Sequence, residues 1–153
     1  MKKRNRARSS SLFLLELIIA ILFFSIASAV CVQFFVKSHS MSQDSQDLNF
    51  AVSECSSIAE IVQTSDSEKA AISEVKKSYP DARITESEDF TTCSIFFDRN
   101  FNPCDSYDED FSYYIEADFE SEGGMIECNL IATQADNENA IYELEVKHYA
   151  QGK

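Results

Sequence analysis

The alternation of apolar and polar positions divides the chain into three stretches. In the first, residues 12–36, the residues are almost all apolar, and Glu16 is the only charged one. A helix of this length is about 37 Å long, which spans a bilayer with some tilt. We therefore expect a transmembrane helix over residues 12–36, preceded by a leader over residues 1–11.

The second stretch, residues 37–64, is predicted to form an amphipathic helix. Apolar residues recur at steps of three and four and predict a stripe on one side of it. The stripe consists of Leu48, Ala51, Val52, Cys55, Ile58, Ala59 and Val62. Neither Gly nor Pro occurs between Leu12 and Val62, so this segment and the membrane segment are compatible with one continuous helix.

The third stretch, residues 65–153, is predicted to form a globular head. Ser65 and Glu68 have the Ser-x-x-Glu spacing of a capping box, which predicts a short helix over residues 66–78. Farther on, apolar residues alternate with polar ones in four runs, as expected of strands with one buried face. The inward sets are Cys93, Ile95 and Phe97; Tyr113, Ile115, Ala117 and Phe119; Ile126, Cys128, Leu130 and Ala132; and Tyr142, Leu144 and Val146.

Such alternation is typical of an antiparallel sheet with one face in water, and its dry face needs a cover. The helical stripe over residues 48–62 can provide that cover. We therefore expect an α+β fold, in which a long N-terminal helix packs on a small antiparallel sheet.

Charge is distributed unevenly along the chain. The leader carries five basic residues and no acidic one, which predicts that it stays in the cytoplasm and that the rest is translocated. Residues 37–153 hold eight Lys and Arg against 25 Asp and Glu, a net charge of −17. This acidity argues against direct nucleic-acid binding and against docking of the head on anionic lipid.

Four of the five cysteines lie beyond the membrane run and are candidates for two disulfides. These are Cys55, Cys93, Cys104 and Cys128. A bridge between Cys93 and Cys104 would close the turn between them. The alternative is that Cys55, Cys93 and Cys128, which fall on predicted inward faces, are free thiols in the core.

The sequence offers little support for a metal site or for catalysis. Asp105, Asp108 and Asp110 form a weak calcium candidate, and a solvated acidic loop is the preferred interpretation. The chain has no Cys-x-x-Cys pair, no glycine-rich phosphate loop and no nucleophile elbow. We therefore expect a protein that is not an enzyme and needs no cofactor.

The residues around Glu16 resemble the N-terminal signature of type IV pilins and type II secretion pseudopilins. In that family a short basic leader ends at a small residue, the mature chain begins with an apolar residue, and glutamate is its fifth residue. Ser11, Leu12 and Glu16 match these positions. Ser11 stands where the family usually has glycine, Leu12 where it has phenylalanine or methionine, and the usual helix-bending proline is absent. The resemblance, which covers roughly the first 40 residues, therefore indicates a divergent or minor member.

The resemblance implies a structural subunit. A prepilin peptidase would cut between Ser11 and Leu12, leaving the Leu12 amine free for methylation. Glu16 would then pair with the Leu12 amine of a neighbouring subunit. The implied partners are the peptidase, other pilins or pseudopilins, an inner-membrane assembly platform, and lipid along residues 12–36. The implied location is the cell membrane as a single-pass protein with its head outside, or a filament on the cell surface.

Two alternatives remain for the N-terminus. One is a single-pass anchor for an acidic binding domain that does not polymerise. This interpretation explains every feature of the N-terminus except the position of Glu16. The other is a cleaved secretory signal, since residues 27–29 have the small-x-small pattern and Val30 would become the first residue. Against secretion, Glu16 interrupts the apolar region and the apolar run continues past the cleavage site.

Overall fold

The computed structural model describes residues 6–87, 90–105, 111–136 and 139–149, with side chains from residue 11 onward. The elements in chain order are α1 (Arg6–Thr64), α2 (Glu68–Ser78), β1 (Arg83–Glu86), β2 (Thr91–Asp98), β3 (Pro103–Cys104), β4 (Phe111–Glu122), β5 (Met125–Gln134) and β6 (Ala140–Tyr149). The predicted α+β class, a long N-terminal helix and a small antiparallel sheet, is confirmed. Residues 1–45 and 46–153 form two compact units, which are described separately.

Helix α1 is continuous from Arg6 to Thr64, in keeping with the absence of Gly and Pro within it. Its last part belongs to the head, where its buried residues are Phe50, Ala51, Cys55, Ile58, Ala59 and Val62. The prediction was wrong for Leu48 and Val52, which are 45% and 36% exposed. Each residue turns the helix by about 100°, so a face centred on Ala51, Cys55 and Ile58 leaves Val52 at its edge.

Helix α2 begins later than the capping box predicted. Its N-cap is Ser67, whose hydroxyl accepts a hydrogen bond from the Ala70 amide at 3.3 Å. The hydroxyl of Ser65 instead donates to the Ile61 carbonyl at 2.7 Å, in the last turn of α1. Because that bond occupies Ser65, it does not cap α2, and the helix begins at Glu68.

The sheet is antiparallel throughout, in the order β1-β2-β4-β5-β6, and β3 pairs with β2. The four predicted strands correspond to β2, β4, β5 and β6, and their predicted inward residues are buried or half-buried. The sequence did not predict β1 or β3, because all of β1 is exposed and β3 has only two residues. Gly123 and Gly124 join β4 to β5 with positive φ values, which glycine tolerates.

Aromatic rings and two tyrosine hydroxyls connect the last part of α1 to the sheet and to the end of α2. The Phe50 ring lies 4.9 Å from that of Phe97 and 5.6 Å from that of Tyr113, between ring centroids. The Tyr113 hydroxyl donates to the Asp47 carboxylate at 2.9 Å, and the Tyr79 hydroxyl donates to Glu54. Each hydroxyl thereby keeps a polar partner at the margin of the core.

Candidate functional site: the apolar helix and its carboxylate

The first part of α1 is a candidate membrane span, with a mean hydropathy of 2.6 in its most apolar window. Its side chains are exposed throughout residues 11–36, including those of Phe24 and Phe35. The Ser25 hydroxyl, one of its few polar groups, donates to the Ile21 carbonyl at 2.8 Å, so the helix satisfies it internally. An exposed apolar surface of this length requires lipid or other apolar helices around it.

Glu16 has only apolar neighbours on its own helix. Side chains three and four positions away lie on the same face, and here they belong to Leu12, Phe13, Ile19 and Ala20. The nearest basic positions along α1 are eight residues before Glu16 and 21 residues after it. At 1.5 Å per residue these lie about 12 Å and 31 Å away along the helix axis. If this segment crosses a membrane, a countercharge at the depth of Glu16 would therefore come from a group outside this helix.

A carboxylate in this position is costly unless it is paired. The penalty is about 2.5–3.5 kcal/mol at the bilayer centre on insertion scales, and it is smaller at Glu16, which lies about 6 Å inside the start of the apolar run. A cation at the same depth would offset that penalty. The arrangement suits charge pairing between helices.

The two residues that flank the predicted processing bond lie near the start of α1. Ser11 and Leu12 are both helical and exposed. Leu12 precedes Glu16 by four residues, so the two share a face and lie one turn apart. Ser11, five residues before Glu16, lies on a different face of the helix, and the roles of Ser11, Leu12 and Glu16 in processing and assembly stay predictions.

The strand register separates the cysteines that were candidates for disulfides. Cys104 pairs with Phe96, so it lies on the face of the sheet opposite to Cys93. The suggested bridge between Cys93 and Cys104 is therefore wrong. Cys93 and Cys128 share the inner face, but β4 lies between their strands. Two strand spacings are about 9.6 Å, beyond the reach of a disulfide.

Cys55, Cys93 and Cys128 are free and buried, which agrees with the alternative of reduced core thiols. Burial raises the pKa of the Cys55 and Cys93 thiols to about 11. Burial likewise raises the pKa of Cys128 to about 12. These three thiols are protonated at neutral pH and act as small apolar core residues, which excludes them as nucleophiles there.

The calcium candidate stays a prediction, because Asp108 and Asp110 lie outside the described residues and only Asp105 is within them. Across the described residues, no group of three or more His, Cys, Asp or Glu side chains is placed to hold a metal ion.

Asp98 organises a turn that the sequence patterns did not predict. One oxygen of its carboxylate accepts hydrogen bonds from the amides of Asn100 at 2.7 Å and Asn102 at 2.9 Å. Hydrogen bonds from Asn102, above all from its backbone, lower the pKa of Asp98. The turn holds Phe101 at a φ of 64°. The aspartate followed by two asparagines at two-residue steps was the available signal.

Comparison with known protein families, with curated proteins and with solved structures finds no match.

Proposed function

We propose that the chain is a structural subunit, a pseudopilin or minor pilin, of a filament like the type IV pilus or the type II secretion filament. The observation that carries the proposal is Glu16, the single charge in an exposed apolar helix, five residues after Ser11. A simple anchor gains nothing from a carboxylate that makes insertion more costly. A subunit that must recognise a cation within the membrane gains a partner from it.

In this proposal a prepilin peptidase cuts the bond between Ser11 and Leu12 on the cytoplasmic side, and the new amine carries a positive charge. The helix N-terminus adds about half a positive charge at the same place. A neighbouring subunit shifted by four residues, about 6 Å along the helix axis, would bring its Leu12 amine level with Glu16. Pairing the Leu12 amine with the Glu16 carboxylate would offset the cost of placing each charge in the membrane. It would also define the axial step between subunits.

Continuity of α1 supports the same function. The helix runs from the apolar segment into the head without a break, and there Cys55, Ile58 and Val62 are fully buried. Force applied to the membrane segment by an inner-membrane assembly platform would act on a helix that is part of the head's core. In this proposal the acidic head serves contact with other subunits.

The test is assembly of the full chain with and without the carboxylate. Glu16→Leu should enter the membrane at least as well as the unmodified chain, because a costly charge is gone, yet it should be lost from sheared filaments. Gln33→Leu is the matched control, since it removes a polar but uncharged side chain from the same helix. Membrane content is measured by carbonate extraction, and assembly by recovery in filaments or with partner pilins. Normal assembly of Glu16→Leu would refute the pairing.

Mass spectrometry of the mature N-terminus separates the proposal from its alternatives. A start at Leu12, with or without a methyl group on the amine, supports it. An intact Met1 in a protein that forms no filaments indicates an anchored binding domain that does not polymerise. A start at Val30 indicates secretion.

A further inference from the structure

The head ends in two strand edges. At one end β1 and β3 both lie along the same side of β2, and at the other end β6 lies beside β5. In the described part of the chain β6 has no second neighbour, although it is ten residues long. Neither Gly nor Pro interrupts it. A long exposed edge of this kind is a template for another strand.

We propose that β6 of one copy pairs in parallel with β1 of the next copy, so that neighbouring heads share a continuous sheet. The sheet is antiparallel at every step from β1 through β2, β4 and β5 to β6, so β1 and β6 point the same way. A second head placed beside the first with its inner face on the same side therefore brings β1 alongside β6 in parallel.

The side chains at the two edges match on the inner face. Ile84 pairs with Cys93 across β1 and β2, which places it on the inner face, and it is 38% exposed. Val146 pairs with Cys128 across β5 and β6, so it also lies on that face. Setting Ile84 beside Val146 would cover an exposed apolar side chain with another apolar one.

The charges select the same register. With Ile84 beside Val146, Arg83 stands beside Glu145 on the outer face, and Glu86 stands beside His148 on the inner face. A slip of two residues in one direction would set Arg83 beside Lys147, a repulsive pair. A slip in the other direction would set Arg83 beside another acid, Glu143, but would place the Glu86 carboxylate beside the apolar Val146. Register is strongly specified where such pairs alternate with a buried face.

The contact joins two different surfaces, so it does not close on itself. After pairing, the first head still presents its β1 edge and the second its β6 edge, which generates an open series of subunits. The inference deepens the proposed function and rests on it, because heads with a net charge of −17 repel one another and one strand pair is a small contact. Assembly through the membrane helices would supply the local concentration that such a contact needs.

Engineered disulfides in the full chain test the pairing and its register. Every variant carries Cys31→Ser and Cys104→Ser, which leaves only buried native thiols. Thr85 would lie directly beside Lys147 of the neighbour, so Thr85→Cys with Lys147→Cys should cross-link. In the control, Thr85→Cys with Glu143→Cys, the partner position lies four residues or about 13 Å along the strand, out of disulfide range. All variants are expressed in membranes with the filament assembly proteins and oxidised there.

We expect the first pair to give a ladder of dimers, trimers and larger species on a non-reducing gel, at least tenfold stronger than the control. Each single cysteine variant should stay monomeric. The absence of a ladder, an equal ladder in the control, or a dimer from either single variant would overturn the proposal. Filaments are also sheared from the same cells, so that edge pairing and filament formation are scored separately. Filaments without cross-links reject the edge pairing alone, whereas a ladder without filaments upholds the pairing and rejects the filament function.

Discussion

Phe101 stacks on Phe50 at a centroid distance of 4.5 Å and an interplanar angle of 21°, although its own backbone has a φ of 64°. A left-handed conformation costs a residue with a side chain about 1 kcal/mol or more. The Asp98 carboxylate accepts the amide hydrogen bonds that hold this turn. The stacked ring, which also lies 5.1 Å from that of Tyr113, offsets the backbone cost and closes one end of the core.

The first prediction concerns this ring. Phe101→Ala should lower the free energy of unfolding by about 2–3 kcal/mol, less than for a fully buried phenylalanine because the ring is half-buried. Phe101→Gly should be less harmful than Phe101→Ala by about 1 kcal/mol, since glycine tolerates the backbone conformation. All six tyrosines follow α1, so the tyrosine band in the near-ultraviolet circular dichroism of the full chain in detergent reports on the head during urea unfolding. Equal losses for the two variants would contradict the strain argument.

The second prediction compares two positions of the predicted stripe, one buried and one exposed. Ile58 is fully buried, so Ile58→Asp places an unpaired charge in the core and should unfold the head, with a loss above about 4 kcal/mol. Val52 lies at the solvent edge, so Val52→Asp should cost less than about 1 kcal/mol. Protection of the sheet amides from hydrogen exchange gives the readout. A head that unfolds equally in both variants would mean that Val52 is covered, for instance by another subunit.

The third prediction is a loss of stability in alkali. The Cys128 thiol has an ordinary pKa of 9.0 and a pKa of about 12 in the folded head. Above about pH 9 the unfolded chain releases this proton while the folded one keeps it, so stability falls from about pH 9 toward pH 12. Cys55 and Cys93 act in the same direction.

Cys128→Ala should therefore make the stability of the head fall less steeply with pH above about pH 9, whatever its effect at neutral pH. Pulse proteolysis in urea at a series of pH values measures this slope, and Cys31→Ala outside the head serves as the control. A slope that Cys128→Ala leaves unchanged would show that this thiol does not contribute to the alkaline transition.

The fourth prediction concerns processing. Coexpression with a prepilin peptidase should yield a chain that starts at Leu12, and Ser11→Gly should be cut faster if serine limits recognition. Ser9→Gly, two residues upstream, controls for added flexibility of the leader. N-terminal sequencing after timed induction gives the rates. A full-length product with several peptidases would reject this cleavage.

Strand faces followed from the sequence because a strand alternates its side chains strictly, so Ile95, Ile115 and Leu130 were placed inward without any knowledge of their neighbours. The rotation of α1 about its own axis did not follow. Phe50 and Val52 are both apolar and flank the stripe on opposite sides, so the spacing alone does not tell which of them is buried. Contacts with Phe97 and Phe101 decide that it is Phe50.

The sequence by itself determined the single charge in an apolar helix, the acidic head and the alternating strands, because these depend only on local spacing and composition. Tertiary structure alone decided the strand order, the position of Cys104 on the outer face, and the short strands β1 and β3. Those features depend on which backbones pair, and pairing between residues far apart in the chain leaves no local pattern. The two edge strands of the sheet, with Ile84 in one and Val146 in the other, belong to this second group.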